Sequence, residues 1–170
     1  MKKRLAIIFS AALLLSMIVL NKPAYSATTQ NVMVYVEIPY VFNLDWYING
    51  SIVELTGPNA ITSADFLSGM RTGIVGGVLS ATANESYDLT VAANDTYFKG
   101  PGVKPVTDML VDIDGAGYIQ LDGTNEVVLI SNHAAEVDGQ KTVSYQVNFN
   151  STDVAGLYSV TLVYTIKPHI

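Results

Sequence analysis

Apolar and polar residues alternate along this chain with period two far more often than they recur at helical spacing. The clearest stretch runs from Val32 to Trp46, where every even position is apolar: Val32, Val34, Val36, Ile38, Tyr40, Phe42, Leu44 and Trp46. Fifteen extended residues would reach roughly 50 Å, about twice what a small two-sheet domain needs. Pro39 lies in the middle, and a residue without a ladder N–H belongs at an edge or a bend. Two readings follow. Either the first strand kinks at Pro39 and serves both sheets of its own domain, or the segment before Pro39 pairs with a neighbouring molecule.

Further strands are expected over Val75–Ala83 and Ser86–Ala93, with Asn84-Glu85 at a tight turn between them. Met109–Ile113 and Gly117–Leu121 flank Asp114-Gly115, a hairpin signal. Glu126–Ser131, Val143–Phe149 and Leu157–Ile166 complete the set, the last placing Tyr158, Val160, Leu162, Tyr164 and Ile166 on one face. Only Thr62–Met70 reads as helix, with Thr62 or Ser63 capping one or two turns that carry Phe66 and Leu67. Turn clusters recur about every ten residues, as in sandwiches and barrels. The expected fold is therefore all-β, an antiparallel immunoglobulin-like β-sandwich of about eight or nine strands. Its core would draw on Val34, Val36, Ile38, Leu44, Leu89, Val91, Leu129, Val147, Phe149, Val160 and Leu162.

The N-terminus changes where this domain begins. Lys2, Lys3 and Arg4 precede sixteen residues, Leu5 to Leu20, interrupted only by Ser10 and Ser16, and a polar stretch ends at Ala24-Tyr25-Ser26. This is the pattern of a cleavable signal peptide, residues 1–26, leaving one domain over 27–170. An uncleaved anchor is the alternative, although the apolar run falls short of the ~20 residues that span a bilayer. The chain has no Cys, so lipid attachment, thiol chemistry and cysteine metal sites are excluded. Lys2, Lys3, Arg4 and Lys22 leave with the leader while all fifteen acids stay, which takes the net charge from −6 to −10. Such a surface repels phosphate backbones and anionic headgroups, so neither nucleic acid nor, after cleavage, membrane is an expected partner. The expected location is extracellular or on the cell surface, with the periplasm as a further option.

The C-terminal run Asp153-Val154-Ala155-Gly156-Leu157-Tyr158-Ser159-Val160-Thr161-Leu162-Val163-Tyr164-Thr165-Ile166 resembles the closing strand of secreted bacterial β-sandwich families. These are WxL-like surface domains and, more distantly, spore coat protein U-like and pilus-like subunits. Val34-x-Val36-x-Ile38-Pro39-x-Val41-x-x-Leu44 looks like their first strand, and Ala83-Asn84-Glu85-Ser86-Tyr87-Asp88-Leu89-Thr90-Val91 like their central strand pair. The paired Trp-x-Leu motifs are absent, Trp46 being the sole tryptophan, and so is the pilus disulfide. The resemblance implies an exported, non-catalytic protein that works by surface presentation or assembly.

Candidate chemistry is sparse. Asp112 and Asp114 could open a calcium loop with Gly117 at its turn. Ala116 and Gly123, however, occupy two ligand positions, and a plain hairpin explains the run. Asn49, Asn84, Asn94 and Asn150 head Asn-x-Ser/Thr triplets and mark turns. His133 and His169 sit in no catalytic motif, and carboxylate pairs such as Asp112/Asp114 or Asp88/Asp95 are unavoidable on so acidic a chain. Tyr158 reads as a corner tyrosine that pins the preceding turn. No enzyme activity and no cofactor are expected.

Two functions from different classes remain. The first is a structural or adhesive surface protein that assembles with itself or with other surface proteins, Val32, Val34, Val36 and Ile38 forming a strand added to a neighbour. The second is a secreted carbohydrate-binding module, with Trp46, Tyr47, Tyr97, Phe98 and Tyr118 stacking on polysaccharide. An inward-facing Trp46 would remove the best stacking residue from that set.

Overall fold

A computed structural model describes residues 36–48 and 60–170. The expected leader, Val32, Val34 and Asn49 lie outside the described residues. The chain divides into a unit ending at Glu37, of which only Val36 and Glu37 are described, and a compact unit from Ile38 to Ile170. The second unit is all-β. In chain order its described elements are β1 (Phe42–Ile48), α1 (Ser63–Ser68), β2 (Met70–Ala83), β3 (Tyr87–Ala93) and, after a 3-10 turn at Val106–Asp108, β4 (Met109–Ile113). They continue with β5 (Ile119–Gln120), β6 (Val127–His133), β7 (Glu136–Asn148) and β8 (Leu162–Pro168). Five strands form one sheet in the order β1-β2-β7-β4-β5, and three form a second in the order β6-β3-β8, with every pairing antiparallel.

Local chemistry explains several elements. The Thr62 hydroxyl accepts from the Asp65 N–H, and Asp65 accepts in return from the Thr62 N–H at 2.8 Å, a capping box that starts α1. Gly69, at φ 78°, ends it, because a left-handed C-cap costs glycine little. Between β4 and β5, Asp114 and Gly115 have φ of 57° and 75° and the Ala116 N–H donates to Ile113 O at 3.0 Å. Positive φ at both central positions is the turn geometry that Asp-Gly favours, and here it sits within the five residues that link the two strands.

The two sheets share one core. Leu79 and Ala81 from β2, Val111 from β4 and Val143 from β7 face Leu89 and Val91 from β3, all almost fully buried, with Tyr87, Val106 and Leu121 at the margins. Burial of each such aliphatic side chain contributes about 1.5–3 kcal/mol. Leu44, Leu129, Phe149, Val160 and Leu162 pack against this core while remaining partly accessible.

Four expectations need correction. The fifteen-residue first strand is not formed as a unit: β1 starts at Phe42 and, among the described residues, pairs only with β2, so the described part of the stripe does not kink to serve both sheets. Val36 and Ile38 are exposed and not core residues, since residues 36–41 join neither sheet. β2 and β3 do not form a pair. Residues 84–86 carry the chain from one sheet to the other, although so short a link reads as a hairpin turn. Finally, β2 and β7 begin five and seven residues earlier than expected, whereas β8 begins five residues later. In β2 the cause is register breaks between Arg71 and Ile74 and between Val75 and Gly77, which scramble the alternation. In β7 the first half is polar and is held by pairing with β2. In β8 the preceding residues 157–161 make an isolated bridge from Ser159 to Lys99 and a bond from the Asn94 N–H to Thr161 O, but no continuous ladder.

Candidate functional site

The end of the domain where β2 passes to β3 brings together the features that bear on function. Asn84 follows the last β2 residue, and its backbone N–H donates to Val41 O at 3.2 Å. Its side-chain oxygen accepts from the Val41 N–H at 2.9 Å, while its side-chain nitrogen donates to Pro39 O at 2.8 Å. Since Phe42 pairs with Ala83, the Val41–Asn84 contact is the next step of the same ladder. The side chain of Asn84 therefore extends the β1 line to a proline that cannot donate to it. Beyond this clamp the apolar stripe is uncovered: Val36, Ile38 and Tyr40 are 77%, 76% and 72% exposed.

The same end carries an ionic network between the sheets. Glu136, at the start of β7, accepts from the Tyr87 hydroxyl and from Lys141 Nζ at 3.0 Å, with His133 Nε2 at 3.5 Å. Burial opposes charge on Glu136, but the Tyr87 and Lys141 hydrogen bonds and the nearby cations outweigh it and hold the carboxyl below its usual range. Burial, reinforced by that carboxylate, pushes the Tyr87 hydroxyl well above the ordinary tyrosine range. Alongside, Asp88 accepts from the Asn132 N–H at 2.8 Å and pairs with His169 at 2.8 Å. The Asn132 N–H is the main reason its carboxyl is also lowered. Each carboxylate is met by several donors, which suits holding two sheets together.

Lys104 makes a second interior anchor. Its ammonium donates to Asp153 at 2.7 Å, to Asn148 O at 2.7 Å and to Asp108 at 3.0 Å, so all three protons are used. It also lies 5.2 Å from the Phe149 ring centroid. Neither this lysine nor the Glu136 network was legible as a site in the chain. The available signals were a basic residue i,i+4 from Asp108 and an acid preceding Lys141 within one strand.

The remaining candidates have structural partners. Asp112 accepts from the Gly117 N–H at 2.8 Å and Asp114 from the Thr142 N–H at 2.7 Å, so both carboxylates brace the β4–β5 turn. Among the described residues no three His, Asp or Glu side chains are grouped to hold a metal ion. Asn94 accepts from the Thr161 N–H and Asn150 from the Thr152 N–H, as turn residues do. The Tyr158 hydroxyl donates to Val154 O at 2.8 Å, closing the expected corner. Gly100 and Gly102 lie so close to Tyr158 that any Cβ there would meet its ring or hydroxyl at under 3.0 Å.

The five aromatic candidates for sugar stacking do not form one platform. Trp46 is partly buried and meets Tyr164 edge-on at 5.7 Å. Phe98 packs against the core, and the Tyr118 hydroxyl is taken by the Gly73 N–H at 2.9 Å. Tyr47 and Tyr97 are exposed, on β1 and on the loop after β3. Tyr97 borders a recess of about 100 Å³ that it shares with Asp95, Lys99 and Ser159 and with none of the other four aromatics.

These features define the class only as an all-β protein with two antiparallel sheets. Compared with known families and with curated proteins, the chain matches no family model and no individual protein. No helix among the described residues is long and apolar enough to cross a membrane.

Proposed function

We propose that this is an exported, non-catalytic structural or adhesive protein of the cell surface, an immunoglobulin-like sandwich whose N-terminal segment adds as a strand to another molecule. One observation carries the reading. The alternation that packs Phe42, Leu44 and Trp46 onto the core continues through Tyr40, Ile38 and Val36, which are exposed. A strand-forming stripe of Val and Ile exposed to water is suited to pairing, with backbone bonds supplying affinity and alternate side chains supplying register. Export rests on the leader pattern of residues 1–26, and the acidic remainder suits a protein kept soluble outside the cell.

The test compares the exported chain with a Val36→Asp/Ile38→Asp variant and with a form lacking residues 27–38, by sedimentation velocity and negative-stain electron microscopy. The parent should form oligomers or filaments, and both altered forms should be folded monomers, because the exposed positions support no core contact. Assembly that persists in both overturns strand addition by this segment. N-terminal sequencing of exported material should begin at Ala27.

A further inference from the structure

Strand addition requires an acceptor edge, and the described strands offer four. β1 and β5 bound the larger sheet, β6 and β8 the smaller. Three are blunted by devices that keep natural sheet edges from pairing. β5 is two residues long. The pairing of β1 with β2 breaks between Trp46 and Ile48. β6 meets β3 through two register breaks and carries Asn132 at φ 51°. β8 is different: it pairs with β3 over seven consecutive positions, from Ala93↔Leu162 to Tyr87↔Pro168, without a shift.

The flanking bonds show which β8 backbone groups have no partner strand among the described residues. The Asn94 N–H donates to Thr161 O, and the His169 N–H to Ser86 O. Bonded pairs alternate along an antiparallel ladder. Thr161, Val163, Thr165 and Lys167 therefore turn their amides toward β3, while Leu162, Tyr164 and Ile166 turn theirs to the open side. The side chains of those same three residues lie on the core face yet remain only partly buried. Phe42, Leu44 and Trp46 of β1 are partly buried too, and Trp46 touches Tyr164. Among the described residues, an edge without a paired neighbour and an incompletely covered apolar seam thus coincide. The edge-protecting residue types, Lys167 and Pro168, stand only at the end of the strand.

Segment 32–38 matches this edge in length and pattern, with apolar residues at 32, 34, 36 and 38 and a single charge at Glu37. Asn84 fixes Pro39 and Val41 beside the end of β2, and the described residues 36–41 join neither sheet, so this part of the stripe has no partner strand of its own among the described residues. We propose that the open edge of β8 takes up segment 32–38 of a second copy of this chain, with Leu162, Tyr164 and Ile166 forming its apolar floor. This rests on the strand-addition reading and adds the acceptor to it.

The chain has no native Cys, so engineered thiols report contacts cleanly. Exported Glu37→Cys protein is mixed with isotopically labelled Thr165→Cys protein and is mildly oxidised; Thr165 alternates with the core-facing Tyr164 and Ile166 of β8, and Glu37 alternates with Val36 and Ile38 in the sequence. A parallel mixture uses Val128→Cys on β6, and a Glu37→Cys/Thr165→Cys double variant is oxidised alone at high dilution. Sedimentation before oxidation records whether assembly occurs at all. The expected result is assembly with a disulfide joining residue 37 of one copy to residue 165 of the other, little cross-linking to residue 128, and no intrachain link in the dilute double variant. Assembly with the link at 128 instead overturns β8 as acceptor and leaves strand addition standing. An intrachain link in the double variant overturns the second copy as occupant. A chain that stays monomeric overturns both this inference and the strand-addition reading.

Discussion

Residues 36–41 and residues 42–48 share one sequence pattern and have opposite fates. Phe42, Leu44 and Trp46 lie on the core, and their strand is hydrogen-bonded to β2, whereas Val36, Ile38 and Tyr40 face water in a stretch that joins no sheet. Side-chain type does not separate the two halves, because both are rich in β-branched and aromatic residues. The boundary is set by backbone partners. β2 ends at Ala83, and beyond it Asn84 supplies the last two rungs before the chain departs at Pro39. An alternating pattern thus encodes the capacity to form a strand, while the molecule that supplies the partner is decided elsewhere.

The largest test of this contrast compares two aromatic truncations. Trp46→Ala removes a partly buried ring that touches Tyr164, and should cost about 2–3 kcal/mol, below the range for fully buried aromatics. Tyr40→Ala, six residues away on the same stripe, should change stability by less than about 0.5 kcal/mol. Urea denaturation of both variants measures the difference. Equal losses would mean that Tyr40 has a partner in the folded monomer.

A smaller effect is expected at the boundary itself. Asn84→Ala removes the side-chain bonds to Val41 and Pro39 and should cost about 1–2 kcal/mol. Amide hydrogen exchange should quicken first at Val41, with the core amides of β3 unaffected. Uniform acceleration along β3 would show that Asn84 stabilises the whole domain and not just the exit of the chain.

The subtlest distinction is electrostatic. Burial raises the hydroxyls of Tyr145 and Tyr164, which share a hydrogen bond of 2.8 Å close to Trp46, above the ordinary tyrosine value of 10.0. The folded protein therefore holds these protons more tightly than the unfolded chain. Their contribution to stability is complete below pH 10 and is lost as pH rises through the raised folded values. Absorbance at 295 nm should show ionisation of these two tyrosines only together with alkaline unfolding, reported by the fluorescence of Trp46. Titration of Tyr145 and Tyr164 in the folded state would contradict the burial described for this pair.

What was legible in the chain was mostly short in range. The helix cap at Thr62 or Ser63, the Asp114-Gly115 turn and the Tyr158 corner each depend on residues a few positions apart, and each is formed, the cap at Thr62. The misreadings arose where a distant strand supplied the reason for structure. Residues 84–86 look like a hairpin link because nothing local distinguishes a turn within a sheet from a step between sheets. The polar start of β7 has no apolar face to reveal it, and is a strand because β2 runs beside it. Lys104 is buried because Asp108, Asn148 O and Asp153, from three parts of the chain, meet around one ammonium.

By itself the sequence determined that the protein would be built of antiparallel strands, because period-two alternation and turn chemistry act over distances the chain controls directly. It likewise determined that an apolar stripe would precede and enter β1. Only the tertiary structure decided that Val36, Ile38 and Tyr40 would be left exposed, that β2 and β3 would belong to different sheets, and that β8 would pair with β3 without a register break. Those outcomes depend on which backbone amides find partners across the fold, and hydrogen-bond pairing between distant segments is not a property of any one of them.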